Sequence, residues 1–296
     1  MENNQQEDTP ISLLENSQQE FTFRDFWKSF KKEELLLLTI FVLVLLNVMS
    51  NRVMYSYASG AVVPLMVKDI NPSNGVYDQS PTNLVNVNGV LYFYDTDGVN
   101  TVLWKSDGTE ANTLVVSSTT FNPTNLTNVN GTLYFSADDG TNGYELWKSD
   151  GTESGTVMVK DINSSVSSNP QLLTNVNGIL YFFADDGTNG YELWKSDGTE
   201  VGTVMVKDIN ASGGSDVSNL TNLNGTLYFT VNYVELWKSD GTEAGTVKVE
   251  GSSSVYQYLT NVNGTLYFSG DDGTNGNELW KSDGTEEGTV MVKNIK

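Results

Sequence analysis

The sequence predicts an all-β protein, a β-propeller of four-stranded blades in about five repeats, preceded by one N-terminal transmembrane or signal helix. Three observations lead to this fold class. A Trp recurs with a nearly constant spacing through most of the chain, two kinds of turn signal recur with it, and one uncharged apolar run lies near the N-terminus. The repeat defines the β domain, because self-similarity at a period of about 40–50 residues is typical of propeller blades.

The repeat is marked by a Trp in each unit, with spacings of 43, 47, 43 and 43 residues. These structural repeat positions are Trp104, Trp147, Trp194, Trp237 and Trp280. Each unit also contains the letters LYF, preceded by an Asn-Gly pair. We interpret the Trp side chains as packing between blades, although rings in these positions would also suit stacking on sugars.

Two turn signals divide each unit into four strands. Asn-Gly between apolar runs predicts a type I′ hairpin, because both residues tolerate positive φ. Asp-Gly within SDGT predicts a second hairpin. In the second unit, LTNV therefore turns into TLYFSAD, a DDGTNG loop leads to YELWKS, and SDGTESGT leads to VMVKDI. Leu133 and Phe135 would face one side of their strand and Tyr134 the other, so neighbouring blades must cover both faces.

The number of outer strands leaves the closure of the propeller open. LYF and the Trp motif occur five times, but the outer strand of the MVKDI type occurs six times, counting Leu65–Ile70 and Val290–Ile295. One of the six is surplus in a five-bladed ring. We expect a closed ring of five blades, and the alternative is an open structure that a second chain completes.

The strings ELWKSDGT and LTNVNGTLYF resemble the bacterial ELWxxDGT repeat proteins. The resemblance covers about Leu65 to Lys296, and four of the five units carry the full ELWKSDGT. It implies a secreted or surface β-propeller, with no catalytic residues to carry over. This chain departs from the pattern because it is short and has its own N-terminal apolar segment.

The first 64 residues predict a membrane anchor. Residues 1–20 are polar and predict a disordered cytoplasmic tail. Residues 21–54 predict a juxtamembrane stretch and a signal-anchor helix, with an uncharged apolar run from Leu35 to Met49. Residues 55–64 form a linker to the β domain at 65–296.

Charge and aromatic flanks predict the orientation of that segment. Most of its basic residues precede the apolar run and only Arg52 follows it, so the β domain should lie on the extracytoplasmic side. The alternative is secretion after cleavage near Ala58, where Ser56 and Ala58 supply the small residues of a cleavage site. A buried helix of a soluble domain is the third interpretation.

Composition narrows the function classes. The chain has no Cys and no His, which removes disulfides, thiolate metal sites and the usual general base near neutral pH. The formal net charge is −21, and no Arg follows residue 63. Nucleic acid is therefore not an expected partner, because its binding depends on Lys and Arg at phosphates.

The DDGTNG loops offer oxygen ligands of the type that calcium prefers. The candidates are Asp138, Asp139, Asn142, Asp185, Asp186, Asn189, Asp271, Asp272 and Asn275. The EF-hand pattern fails, because its closing Glu and flanking helices are missing. The preferred interpretation is turn geometry, with no cofactor and no metal.

We expect a non-enzymatic module that binds an extracellular glycan or protein at the cell surface, as in adhesion, through several equivalent grooves. The first alternative is a structural subunit that self-assembles through unpaired blade edges, as a homo-oligomer. The remote alternative is a glycan hydrolase with paired carboxylates. Each motif acid recurs several times, whereas a catalytic pair needs two unlike environments.

Overall fold

The computed structural model describes residues 65–70, 80–97, 99–118, 121–249 and 257–295. The predicted tail, anchor helix and linker at 1–64 lie outside these ranges. The compact unit that contains the β structure spans Met66–Lys296. Among the described residues, no helix is long and apolar enough to cross a membrane.

The described residues form five antiparallel sheets of four strands each, with strands in sequence order. The first sheet contains β1 Thr82–Val87, β2 Val90–Thr96, β3 Thr101–Ser106 and β4 Leu114–Val115. The second contains β5 Phe121–Val129, β6 Thr132–Asp138, β7 Tyr144–Ser149 and β8 Val157–Lys160. The third contains β9 Gln171–Val176, β10 Ile179–Asp185, β11 Tyr191–Ser196 and β12 Val204–Lys207.

The last two sheets repeat the same order. The fourth sheet contains β13 Val217–Leu223, β14 Thr226–Val231, β15 Glu235–Ser239 and β16 Val247–Lys248. The fifth contains β17 Gln257–Val262, β18 Thr265–Asp271, β19 Asn277–Ser282 and β20 Val290–Lys293. The prediction of all-β units with four strands each is confirmed for the described part of the chain.

The Asn-Gly hairpins have the backbone that the sequence predicts. In the second sheet, φ is 51° at Asn130 and 88° at Gly131, and the strands pair from Val129 opposite Thr132. Asn128 Oδ1 accepts a hydrogen bond of 2.9 Å from the Gly131 amide and supports the turn. Positive φ at both turn residues matches the type I′ geometry that suits the twist of the strands.

Each sheet has two apolar faces, which we name by their neighbours. The forward face packs on the following sheet and contains Tyr134 and Leu146 in the second sheet. The rear face packs on the preceding sheet and contains Leu133, Phe135 and Trp147. Tyr and Phe of LYF therefore lie on opposite sides of one strand, as the period of two requires.

Contacts between sheets follow the chain. The first strands of consecutive sheets contact one another, from β1 with β5 to β13 with β17. Within the described ranges, no strand of the first sheet packs extensively on a strand of the fifth. The closed five-bladed ring that we expected is therefore not formed by these residues, which make an open series of five sheets.

The segment Leu65–Ile70, counted in the sequence as an outer strand, has no strand structure. It nevertheless lies against the first sheet. Lys68 Nζ donates a hydrogen bond of 2.8 Å to the Thr113 carbonyl, and Ile70 packs against the cluster of Phe93, Val102 and Trp104. It thus covers part of the rear face of the first sheet.

Candidate functional site

The predicted calcium loops use their carboxylates as acceptors for their own backbone. Asp139 Oδ1 accepts 2.8 Å hydrogen bonds from the Thr141 and Asn142 amides, and Oδ2 accepts one of 2.7 Å from Asn142 Nδ2. Asp138 Oδ1 accepts one from the Gly140 amide. Such Asx-type bonds are the reason why Asp and Asn favour turns.

The other two loops repeat this arrangement at Asp185, Asp186, Asn189, Asp271, Asp272 and Asn275. Desolvation raises the pKa of Asp139, but the hydrogen bonds from Asn142 and Thr141 outweigh it and hold the pKa below its usual value. Within the described ranges, no three acidic side chains cluster in a way that could hold a metal ion. The geometry supports a turn role, and calcium binding stays a prediction.

The SDGT turns join consecutive sheets. In the second sheet, Asp150 Oδ1 accepts hydrogen bonds of 2.8 and 2.7 Å from the amide and hydroxyl of Thr152. This closes the turn and, chiefly through the hydroxyl bond, lowers the pKa of Asp150. The Gly151 carbonyl accepts a hydrogen bond of 2.8 Å from Lys105 Nζ of the preceding sheet. We call this Lys-to-Gly bond the latch.

Gly151 is required for two reasons. Its φ is 90°, and a Cβ built on it would meet the hydroxyl of Tyr92 from the preceding sheet. Burial, and secondly the charge of Asp150, raise the pKa of that hydroxyl. The Lys and Gly of ELWKSDGT are thus interface residues, whereas the sequence pattern predicted only a strand and a turn for them. Their recurrence in all five units was the available signal.

The Trp side chains lie between sheets. Trp147 and Trp194 are each 7% exposed and pack against the preceding sheet. Trp104 packs with Ile70, whereas Trp237 and Trp280 are partly buried. Trp237 Nε1 donates to Glu235 at 3.0 Å. None of these positions in the second and third sheets offers a ring to a ligand from solvent.

A buried Glu in the second and third sheets ties down the connection to the next sheet. Glu145 accepts hydrogen bonds of 2.9 Å from the amides of Ile162 and Ser168, and of 2.6 Å from the Ser168 hydroxyl. Burial raises its pKa, and these hydrogen bonds oppose the rise. Glu192 has the same role and also a raised pKa, again because of burial. These side chains are structural acceptors, a role that the sequence pattern did not predict.

A groove between the second and third sheets is a candidate ligand site with both of its sheets among the described residues. It has a volume of about 360 Å³ and is lined by Thr124, Asn125, Ser136, Tyr144, Asn169, Pro170, Gln171 and Leu172. Asn125 Nδ2 spans the two sheets by donating to the Pro170 carbonyl at 3.2 Å. One aromatic ring and five amide or hydroxyl side chains on one concave surface suit a small polar ligand.

Leu172 lines this groove with an unusual backbone. Its φ is 56°, a left-handed conformation that a Leu adopts only under strain, and its side chain is 37% exposed. Asn125 and Asn219 hold the equivalent places in the neighbouring sheets with similar φ, and Asn tolerates this conformation. Tyr258 of the fifth sheet takes the same conformation at the equivalent place, with a φ of 59°, so the positive φ belongs to the repeated bulge of the first strand and does not by itself mark the groove as a ligand site.

A second cavity, of about 400 Å³, lies on the forward face of the fifth sheet. Its lining includes Tyr258, Tyr267, Leu279 and Ile295. Ser269 and Asn277 in this lining are the equivalents of Ser136 and Tyr144 in the groove. The cavity is therefore the same inter-sheet space, with no following sheet among the described residues to close it.

Comparisons with known proteins bear on the fold alone. No protein-family model matches the chain, and no curated protein matches it either. A solved structure of puromycin hydrolase is similar with a TM-score of 0.50 and 15% identity, over 79% of this chain and 40% of that chain. It supports a propeller-like all-β fold.

Two further solved structures are similar at lower TM-scores. Oligopeptidase B from Leishmania major has a TM-score of 0.46 and 12% identity, over 73% of this chain and 35% of that chain. The computationally designed Ika8 protein has a TM-score of 0.47 and 16% identity, over 72% of this chain and 61% of that chain. The chain thus spans less than two thirds of the length of each of these three structures.

Proposed function

We propose that the chain is a non-catalytic binding module of the cell surface. Its N-terminal segment would anchor it in a membrane, and its β domain would bind an extracellular glycan from the extracytoplasmic side. The charge distribution around the apolar run and the resemblance to the ELWxxDGT repeat proteins support the location. The groove between the second and third sheets supports the binding role.

That groove carries the proposal because its lining has the chemistry of a sugar site. The amides of Asn125, Asn169 and Gln171 offer donors and acceptors to hydroxyl groups, and the Tyr144 ring offers an apolar surface. Its volume of about 360 Å³ lies within the usual range for small-ligand sites. A protein ligand could also bind there through a side chain, which is the second ligand class.

The non-catalytic part of the proposal rests on how the repeated acids are used. Asp150 closes its turn, Glu145 fixes a connection, and Asp139 closes its loop, each with equivalents in other sheets. A general acid and a general base need environments that move the pKa values of two carboxylates apart. Puromycin hydrolase and oligopeptidase B have names that state a hydrolytic activity, but at 15% and 12% identity these likenesses carry no activity over to this chain.

The test is a glycan array probed with the full-length chain, with calcium and with a chelator. We expect binding to one sugar class and a loss of affinity of about two- to tenfold in Tyr144→Ala, since a stacked ring contributes about 0.5–1.5 kcal/mol. Tyr233→Ala is the matched control, because Tyr233 is 57% exposed on a turn of the fourth sheet.

Binding that Tyr144→Ala leaves unchanged would contradict the groove as the site, and a blank array would contradict a glycan ligand. Loss of binding with the chelator would show that binding needs a divalent cation, for which the DDGTNG loops are the predicted ligands. Turnover of a bound sugar polymer would instead favour the hydrolase alternative. Assembly with other chains is the second candidate function, and the exposed forward face of the fifth sheet favours it.

A further inference from the structure

The interface between consecutive sheets is built four times with the same polar contacts. The latch joins Lys105 to Gly151, Lys148 to Gly198, Lys195 to Gly241 and Lys238 to Gly284, at 2.8–2.9 Å. Beside each latch, a Tyr hydroxyl of one sheet lies where a Cβ of the next sheet's Gly would be, at Tyr92, Tyr134, Tyr181 and Tyr228. The forward face thus contributes a Lys and a Tyr, and the rear face contributes a Gly.

The two halves of a fifth such interface lie at opposite ends of the series. On the fifth sheet, Lys281 is exposed and makes no hydrogen bond or ion pair with a described residue. On the first sheet, a Cβ at Gly108 would meet nothing within 4 Å, whereas its four equivalents each meet a Tyr hydroxyl. The forward half and the rear half of one latch are therefore both present and both open.

A second contact repeats the same arrangement at the Asn-Gly turns. A Cβ at Gly131 would meet the Asn88 side chain of the preceding sheet, and the next three turns show the same relation. At Gly89, on the first sheet, a Cβ would meet nothing within 4 Å. The Asn263 turn of the fifth sheet is the matching forward partner by position in the repeat.

The apolar side chains at the two ends are exposed where their equivalents are buried. On the forward face of the fifth sheet, Val262 is 47% and Val292 46% exposed, whereas their equivalents in the other sheets are at most 6% exposed. On the rear face of the first sheet, Leu84 is 60% exposed, while Leu126 is 5% exposed. Burial of apolar surface stabilises the four internal interfaces, so burial of these exposed side chains against a partner would be favourable too.

We propose that the forward face of the fifth sheet binds the rear face of the first sheet in a second copy of this chain. The contact between the two copies would repeat the interface that the chain already builds four times. Lys281 would donate a hydrogen bond to the Gly108 carbonyl, and Tyr267 would lie beside Gly108. Such a contact is heterologous, so copies would associate head to tail into rings or longer assemblies.

The segment Leu65–Ile70 must give way for this contact to be complete. Its Lys68 bonds the Thr113 carbonyl just as Lys160 of the second sheet bonds the Thr203 carbonyl of the third, at 2.8 and 3.0 Å. The segment thus occupies the place of a preceding outer strand. It has no strand partner, whereas β20 pairs with β19, so we expect the segment to be the part displaced.

Charge makes the association dependent on salt. Two copies each carry a formal net charge of −21 and repel one another. Added salt screens this repulsion over about 10 Å at 0.1 M, while the buried apolar contact is unaffected. Association should therefore strengthen with increasing salt, which is opposite to the behaviour of a contact held mainly by ion pairs.

Cross-linking of full-length chains tests the proposal, because the chain has no Cys of its own. One chain carries Lys281→Cys and another, with a different tag, carries Thr109→Cys, next to the Gly108 acceptor. We expect a short bismaleimide to link the two chains at several times the yield of a control. The control pairs Thr109→Cys with Val201→Cys, since Val201 is 89% exposed on the third sheet.

A cross-link yield equal to the control would overturn the proposal. A chain that carries both Thr109→Cys and Lys281→Cys tests closure within one chain. A link that forms only inside this double variant, at every dilution, would also overturn the proposal. In a second measurement, Leu279→Glu should abolish association seen by mass photometry in detergent, while Val201→Glu leaves it unchanged. Leu279 is already 42% exposed, so the variant chain remains folded.

Discussion

The third and fifth sheets carry almost the same letters on their forward faces and meet different surroundings. Leu193 and Leu279 stand at the same position of ELWKSDGT, yet Leu193 is fully buried and Leu279 is 42% exposed. Val206 and Val292 differ in the same way, at 6% and 46% exposed. The neighbouring sheet, and not the motif, decides whether a side chain belongs to a core.

This difference shows how stability is distributed in a repeat protein. Each sheet contributes its own hairpins and one interface with each neighbour, so the total is close to a sum over units and interfaces. The fifth sheet has one such interface among the described residues, and the third sheet has two. Equivalent substitutions in the two sheets therefore measure how much one interface contributes to the free energy of unfolding.

The largest expected effect is that of Leu193→Ala against Leu279→Ala. Leu193→Ala removes a buried side chain and should lower the free energy of unfolding by about 2–5 kcal/mol. Leu279→Ala should lower it by less than about 1 kcal/mol, because surface substitutions rarely exceed this. Denaturant titration of both variants beside the unsubstituted chain, at a concentration too low for copies to associate, measures the difference. Equal losses there would show that another part of the same chain covers the forward face of the fifth sheet.

A smaller difference is expected between Gly151→Ala and Gly108→Ala. Both residues have φ near 90°, so both variants lose about 1–2 kcal/mol through backbone strain. Only Gly151→Ala also meets the Tyr92 hydroxyl, which should cost about 1–3 kcal/mol more through overpacking. Thermal melts of the two variants at low chain concentration measure the gap. A gap near zero would contradict the inter-sheet packing at the latch.

The smallest expected effect is the pH dependence of the stability that two Glu residues at equivalent positions contribute. Burial raises the pKa of Glu192, so its contribution to stability is present below the unfolded pKa and is lost as pH rises through the raised value. The hydrogen bond from Lys248 lowers the pKa of Glu235, so its contribution is present above the unfolded pKa and is lost as pH falls.

Glu192→Gln and Glu235→Gln should therefore change the pH profile in opposite directions. The measurement is the denaturant midpoint of each variant, recorded at several pH values from about 3 to about 6, a range that brackets the unfolded Glu pKa of about 4.3. As pH rises, the unsubstituted chain should lose stability relative to Glu192→Gln and gain it relative to Glu235→Gln. Parallel profiles would contradict both assignments, and added salt should reduce only the Glu235 effect, since that pair is partly exposed.

The sequence predicted the units well because their signals are local. Asn-Gly needs positive φ at both residues, and Asn130 and Gly131 have it. The alternation of Leu133, Tyr134 and Phe135 placed side chains on two faces, and the structure confirms the four strands per unit. Each of these features depends on residues that lie within a few positions of one another.

The remaining features depend on residues that are about 45 positions apart or on backbone that no local pattern reveals. The latch pairs Lys105 with Gly151, and no hairpin rule connects them. Leu172 takes a positive φ that its residue type disfavours, because the first strand of each sheet bulges there. The sequence left closure of the propeller open, because six outer strands for five units fit neither a closed ring nor an open series without one strand left over.

The latch has a consequence for how such a chain can change its length. Its acceptor is a backbone carbonyl and its donor recurs in every ELWKS, so any forward face fits any rear face. A whole unit duplicated or deleted in the gene would meet, on both sides, surfaces to which it is already matched. The near-identical stretches from Tyr144 and from Tyr191, which differ only at Ser154 and Val201, are what such in-frame copying leaves behind.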